Sequence, residues 1–232
     1  MIGIMCAMRE ELEPILEYIN VKEKVAHANN IFYLGEFDNK NIVLAYSKIG
    51  KVNATITATI MIEKFNIKTL LFSGVAGAID KDLKIGDLIT ATKVTQHDVD
   101  LTVFGYEPGF IPESKVFYEC DEDLINLASK VAKKESIKLK KGIIASGDQF
   151  IHSKEKKEWI KKTFKASAIE MEGGAVGCVC FNENIPFFML RAISDSAEEG
   201  AGVDFDKFLE ESSRVSAKFL IEMIKEIKWK IN

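Results

Sequence analysis

The chain has 232 residues, 47% of them hydrophobic and 28% charged, and a formal net charge of −4. That is enough apolar chain for one domain, residues 1–232, burying roughly 70% or more of its unfolded surface, and it offers no basic stripe interleaved with aromatics for a nucleic acid. Its apolar runs fall short of the roughly 20 residues of a membrane span, and Arg9, Glu10, Glu11 and Glu13 follow the opening apolar run at once, so no membrane partner is expected and a cytoplasmic location is.

Residues 2–6 read as the first strand, and MREE at 8–11 then opens a helix. Taken alone, Glu10 and Glu11 are ordinary first-turn acids, placed where the helix dipole favours negative charge. Strands follow at 31–37 and 42–47, then a helix at 51–65 and a strand at 69–72. SGVAGA at 73–78 reads as a turn in which Gly74 and Gly77 let the backbone approach a ligand, although a plain strand-to-helix turn would look the same. The phosphate-loop pattern GxxxxGK[ST] is absent.

A strand at 87–94 leads into the least regular stretch, 96–114, which holds Gly105, Pro108, Gly109 and Pro112 beside Phe104, Tyr106 and Phe110. Exposed aromatics are costly, so this loop is expected to cover a pocket or a partner subunit. A helix at 121–136 and a strand at 142–145 come next, then SGDQFIH at 146–152, where Phe150 is either a stacking surface for a flat base or a core residue at the start of the helix at 154–163.

ASAIEMEGGA at 166–175 sets Glu170 and Glu172 among core-like residues. Buried carboxylates cost several kcal/mol unless paired, so both need a reason. A helix at 171–182 follows, and then a strand at 186–193 running into RAISDSA at 191–197. Asp195 there is either a turn or cap residue or an acid at a strand end. The last predicted helix is 204–228.

Strands alternating with helices define an α/β layer structure with a parallel or mixed sheet, in which ligands gather beyond the carboxyl ends of strands. The segments 7–11, 73–78, 146–153 and 191–197 have that address. Cys6, Cys120, Cys178 and Cys180 form no CxxC pair and share no ligand spacing with His27, His97 and His152, so buried thiols are expected and neither a metal nor another cofactor is implied. A nucleophile elbow and GxGxxG are both missing. Several carboxylates with one arginine suit a cationic, sugar-like transition state, water activation and protonation of a leaving group.

GIMCAMREE, YSKIGKVNA, SGVAGAI, QHDVDLTVFGYEPGFIP, SGDQFI, IEMEGGA, RAISD and FDKFL, in this order over nearly the whole chain, resemble the 5′-methylthioadenosine/S-adenosylhomocysteine nucleosidases of the purine nucleoside phosphorylase and uridine phosphorylase superfamily. The likeness is strongest to the branch that also hydrolyses 6-amino-6-deoxyfutalosine. It implies a three-layer αβα sandwich with a central mixed β-sheet and an N-glycosyl hydrolase releasing adenine. Under that resemblance Glu11 is the general base, with Arg191 nearby to help activate water, and Asp195 is the general acid at N7 of adenine. Glu172 holds the ribose hydroxyls, near a helix start expected to favour its ionised form, while Met171 packs on the sugar, Phe150 stacks on adenine and the Ile151 backbone reads its edge. Met8, Ile49, Leu101, Phe104, Pro112 and Phe205 match the apolar 5′ pocket, with Phe104 and Pro112 supplied by the partner in a homodimer. Val75 and Arg9 depart from common residues of the family, a hydroxyl residue near the ribose and an acid in the opening motif. A phosphate-dependent nucleoside phosphorylase would need cations for phosphate, and the chain has three arginines, of which Arg191 alone lies in a matched motif near the reacting centre.

Overall fold

The computed structural model describes residues 1–198 and 200–228. Its elements, in chain order, are β1 (Ile2–Cys6), α1 (Arg9–Leu16), β2 (Asn20–His27), β3 (Asn30–Phe37), β4 (Lys40–Tyr46), α2 (Lys51–Glu63), β5 (Thr69–Ala78), β6 (Leu88–Gln96), β7 (Phe117–Glu119), α3 (Glu122–Lys134), β8 (Leu139–Ser146), α4 (Lys154–Phe164), β9 (Ala166–Glu170), α5 (Gly173–Asn182), β10 (Phe187–Asp195) and α6 (Ala201–Glu226). One mixed sheet contains all ten strands. Helices α1 and α3 pack against α6, which lies on β10 and β5, while α2 and α5 pack on each other and on the sheet. The layered α/β architecture expected from the sequence is the one observed.

Every residue of β1, β5 and β10 is buried. The three run parallel to one another in the middle of the sheet, buried on both faces, which is why 2–6, 69–72 and 186–193 read as apolar runs rather than alternating ones. At one edge β2, β3 and β4 form an antiparallel meander. Its two tight turns put Ala28 and Asn29, then Asp38 and Asn39, at positive φ. That is the backbone hand that matches the twist of paired strands.

Strand β5 changes neighbours partway along. Thr69–Phe72 pairs with β1, whereas Gly77 and Ala78 pair with β9, and β10 runs along the other side throughout. Because β10 also pairs with β6, β6 with β8 and β8 with β9, five strands close into a circuit. Where β5 parts from β1, the sheet opens. A cavity lies there.

The structure departs from the sequence reading in several places, the short strand β7 among them. The SGVAGA stretch belongs to β5 and is no turn. Strand β2 was not predicted because NVKEKVAH is polar and mostly exposed, as an edge strand can be. Strand β9 was not predicted because Ala-Ser-Ala has little β-propensity, and only its place in the circuit makes it extended. The cysteines are free among the described residues, with Cys178 half-buried rather than buried.

Candidate active site

A cavity of about 640 Å³ opens at the strand ends, and all four segments singled out by position contribute to it. Four buried carboxyl groups line it: Glu11 at 4% exposure, Glu172 at 4%, Asp195 at 3% and Glu170, the last engaged by Arg191.

Glu11 sits in the first turn of α1, just beyond β1. Its Oε2 accepts the N–H groups of Ala7 (2.7 Å) and Met8 (3.0 Å), and its Oε1 accepts that of Val75 (2.9 Å). Burial pushes its carboxyl above the ordinary range, and the Arg191 charge with these three N–H bonds holds part of the rise back. Asp195 ends β10, where Oδ1 accepts the Ala197 N–H at 2.8 Å and Oδ2 the Ser194 hydroxyl at 2.9 Å. Burial raises this carboxyl too, against those two bonds.

The glycines of β5 make room for both acids. A β-carbon on Gly74 would lie 2.4 Å from Glu11 Oε1, and one on Gly77 would lie 2.7 Å from Asp195 Oδ1. The close approach read from SGVAGA is therefore real, but what approaches is the protein's own pair of carboxyls.

The two glutamates of the 166–175 stretch divide their tasks. Glu170 is at 8% exposure the helix anchor: its carboxylate accepts the N–H of Glu172 (3.1 Å) and of Gly173 (2.9 Å), the Ser146 hydroxyl, and Arg191 Nη2 at 2.9 Å. Glu172, the N-cap of α5, makes no side-chain cap bond and takes the Gly50 N–H at 2.8 Å instead. The helix start was expected to favour its ionised form. Burial and the adjacent Glu170 charge outweigh that, pushing the Glu172 carboxyl well above its ordinary range.

Arg191 does not stand in the cavity wall. Besides Glu170 it donates to the backbone oxygens of Phe72 (3.3 Å) and Leu190 (3.1 Å), and its guanidinium carbon lies 4.0 Å from the centre of the Phe72 ring. It reaches Glu11 through its electric field and not through contact. Arg191 is thus near Glu11, as expected, while its hydrogen bonds go elsewhere, because a buried guanidinium needs a close acceptor and Glu170 is that acceptor.

The remaining predicted residues separate into two groups. Met8, Ile49, Val75, Phe150, Ile151, Met171 and Phe205 all line the cavity. Phe150 packs edge-on against Phe205, ring centres 5.7 Å apart, leaving part of its surface exposed. Leu101, Phe104 and Pro112 do not line it; Phe104 and Pro112 stand exposed on the long loop, beside a short 3-10 turn at Thr102–Phe104. Sequence reasoning missed a clamp between two walls: Lys51 Nζ pairs with Asp98 at 2.7 Å, Asp98 accepts the Asp148 N–H at 2.9 Å, and Asp148 accepts the Lys51 N–H at 2.8 Å. No group of His, Cys, Asp and Glu among the described residues is arranged to hold a metal ion.

A mixed sheet whose strand ends gather four buried acids around a largely apolar cavity defines an α/β fold built to hold a small molecule and move protons on it. A family model described as "Phosphorylase superfamily" matches residues 1–225, and the chain belongs to that family. It is 54% identical to the aminodeoxyfutalosine nucleosidase of Helicobacter pylori strain J99 over 227 residues, 97% of this chain and 99% of that one. It is 42% identical to the 5′-methylthioadenosine/S-adenosylhomocysteine nucleosidase of Staphylococcus carnosus, over 98% of this chain and 100% of the other. Among solved structures, the H. pylori 5′-methylthioadenosine/S-adenosylhomocysteine nucleosidase with butyl-thio-DADMe-Immucillin-A superposes with a TM-score of 0.96 at 53% identity, covering 97% of this chain and 98% of that one.

Proposed function

We propose that this chain hydrolyses the N-glycosidic bond of 5′-substituted adenine nucleosides, among them 5′-methylthioadenosine, S-adenosylhomocysteine and 6-amino-6-deoxyfutalosine, releasing adenine and the substituted ribose. The observation that carries the reading is the convergence of Glu11, Glu172 and Asp195 on one cavity.

Each acid has a place in the reaction. Glu11 accepts a proton from water as the water attacks the anomeric carbon. Its three backbone donors fix the carboxylate, and burial makes it a stronger base than a solvated one. Asp195 delivers a proton to N7 of the base, so that adenine leaves neutral; a raised proton affinity keeps the acid loaded. Positive charge grows on the ribosyl ring as the C–N bond breaks. Glu172, in its ionised form and accepting hydrogen bonds from the ribose hydroxyls, stabilises that charge most when it is greatest. Arg191, locked onto Glu170, holds the start of α5 and hence Glu172 in place. Phe150 and Ile151 take the base, Met171 the sugar, and Met8, Ile49 and Phe205 the 5′ substituent.

The protein works as a homodimer in this reading. Leu101, Phe104 and Pro112 are absent from the cavity of a single chain, and Val103, Phe104 and Tyr106 leave apolar surface exposed on the same loop. A partner placing Phe104 and Pro112 over the 5′ end would bury that surface and close the pocket.

Purified protein should release adenine from methylthioadenosine in phosphate-free buffer, and Asp195→Asn should lower that rate by about 10²- to 10⁴-fold while remaining folded. An absolute phosphate requirement with ribose 1-phosphate as product would reassign the chain as a phosphorylase. Unchanged turnover in the Asn variant would remove the general-acid role.

A further inference from the structure

The buried residues of α4 are Lys157, Ile160 and Phe164, spaced as one helical stripe. A lysine in such a stripe is a buried cation and has to be paired. Its Nζ donates to the backbone oxygen of Ser196 at 2.7 Å and to Glu198 Oε1 at 2.8 Å. Both acceptors lie just beyond Asp195.

The Ser196 carbonyl and the Ala197 N–H belong to a single planar peptide group. That N–H is the one that holds Asp195 Oδ1, at 2.8 Å. One rigid unit therefore has an ammonium at its oxygen end and the proposed acid at its hydrogen end. The adjoining backbone does not favour this arrangement by itself, since Ala197 has φ of 52°, in the left-handed region that a β-carbon disfavours. A buried tether from α4 offsets that cost.

We infer that Lys157 is a positioning residue: by gripping the Ser196 carbonyl it fixes the peptide whose N–H aims the Asp195 carboxyl at the leaving base. The inference rests on the reading of Asp195 as proton donor. Removing the cation should have two effects. The carboxyl loses its fixed orientation, and it also loses a positive neighbour that favours its ionised form. The charged groups facing Asp195 are then unbalanced, because Asp204 on α6 acts in the opposite sense to Lys157.

The test is the pH profile of adenine release from methylthioadenosine by Lys157→Met, Lys157→Gln, Glu198→Gln and Asp195→Asn. Methionine keeps the apolar stem and removes the charge, leaving the half-exposed Glu198 to solvent. Its kcat should fall about 10- to 100-fold, with KM little changed, as expected for a misplaced catalytic group. The alkaline limb of kcat should move to higher pH. Glutamine keeps a donor without the charge, so it should show the same shift of the limb with a smaller fall in kcat, and it carries the test should the methionine variant not fold. Glu198→Gln breaks only a half-exposed pair and should stay within about twofold of the parent. If Asp195→Asn abolishes turnover while the Lys157 variants keep the parental kcat and limb, the positioning role is overturned and the catalytic reading stands. Equal losses in Glu198→Gln and Lys157→Met would also overturn it, by making the ion pair and not the peptide the thing that matters. Full turnover in Asp195→Asn would instead sink the reading on which the inference rests.

Discussion

At the scale of single residues, the site is governed by space and by proton affinity. Gly74 is required because Glu11 occupies the volume where a side chain would begin, only 2.4 Å from the ideal β-carbon. Gly74→Ala should therefore leave a folded protein whose kcat for adenine release is about 100-fold lower, since the base is displaced by roughly an ångström. A variant of unchanged kcat would show that Glu11 has slack to move. Glu172 gives a prediction for stability. Its folded-state proton affinity is well above the ordinary value of 4.5. Between that value and its folded one, the native state holds a proton that the unfolded chain has released, so stability falls as pH rises through this window. Glu172→Gln removes this part of the slope. Denaturant midpoints measured from pH 4.5 upward should be flatter for the variant, and parallel curves would refute the assignment. The sequence displayed both glutamates of the 166–175 stretch but could not tell them apart, because the ion pair that occupies Glu170 comes from a residue 21 positions away.

At the scale of elements, the start of α5 depends on β9 and β10 together. Glu170 ends β9 and gathers the first N–H groups of α5, while Arg191 from β10 supplies the compensating charge. Removing one partner of a buried pair leaves the other uncompensated and costs about 3–5 kcal/mol. Arg191→Met should show that loss in urea unfolding and should weaken ribose recognition as well, because Glu172 sits on the element that comes loose. A loss of activity without loss of stability would mean that Arg191 acts directly on the reaction. The central strands were readable as apolar runs, since burial on both faces imposes that composition. The extension of β5 through SGVAGA was not. Serine and glycines signal a turn locally, and only the pairing with β10 and β9 keeps the chain extended there.

At the scale of the whole molecule, the closed circuit of five strands, with β1 alongside β5, brings Glu11, Glu172 and Asp195 from well-separated positions onto one cavity. The long loop remains outside it. If the proposed homodimer completes the pocket, Phe104→Asp should shift the protein toward monomer in analytical ultracentrifugation and raise KM most for substrates with large 5′ groups. A monomeric parent with full activity would contradict that arrangement. Among the described residues no helix is long and apolar enough to cross a membrane.

The sequence by itself determined the α/β class, the central strands and the segments that meet at the site, because strand periodicity, glycine placement and acids at strand ends are local properties written into a few neighbouring residues. The tertiary structure alone decided that β5 continues to Ala78, that Glu170 takes Arg191, and that Gly74 and Gly77 yield their space to Glu11 and Asp195. Those outcomes depend on which distant groups compete for the same small volume and the same buried charge, and that competition exists only once the strands have closed on one another.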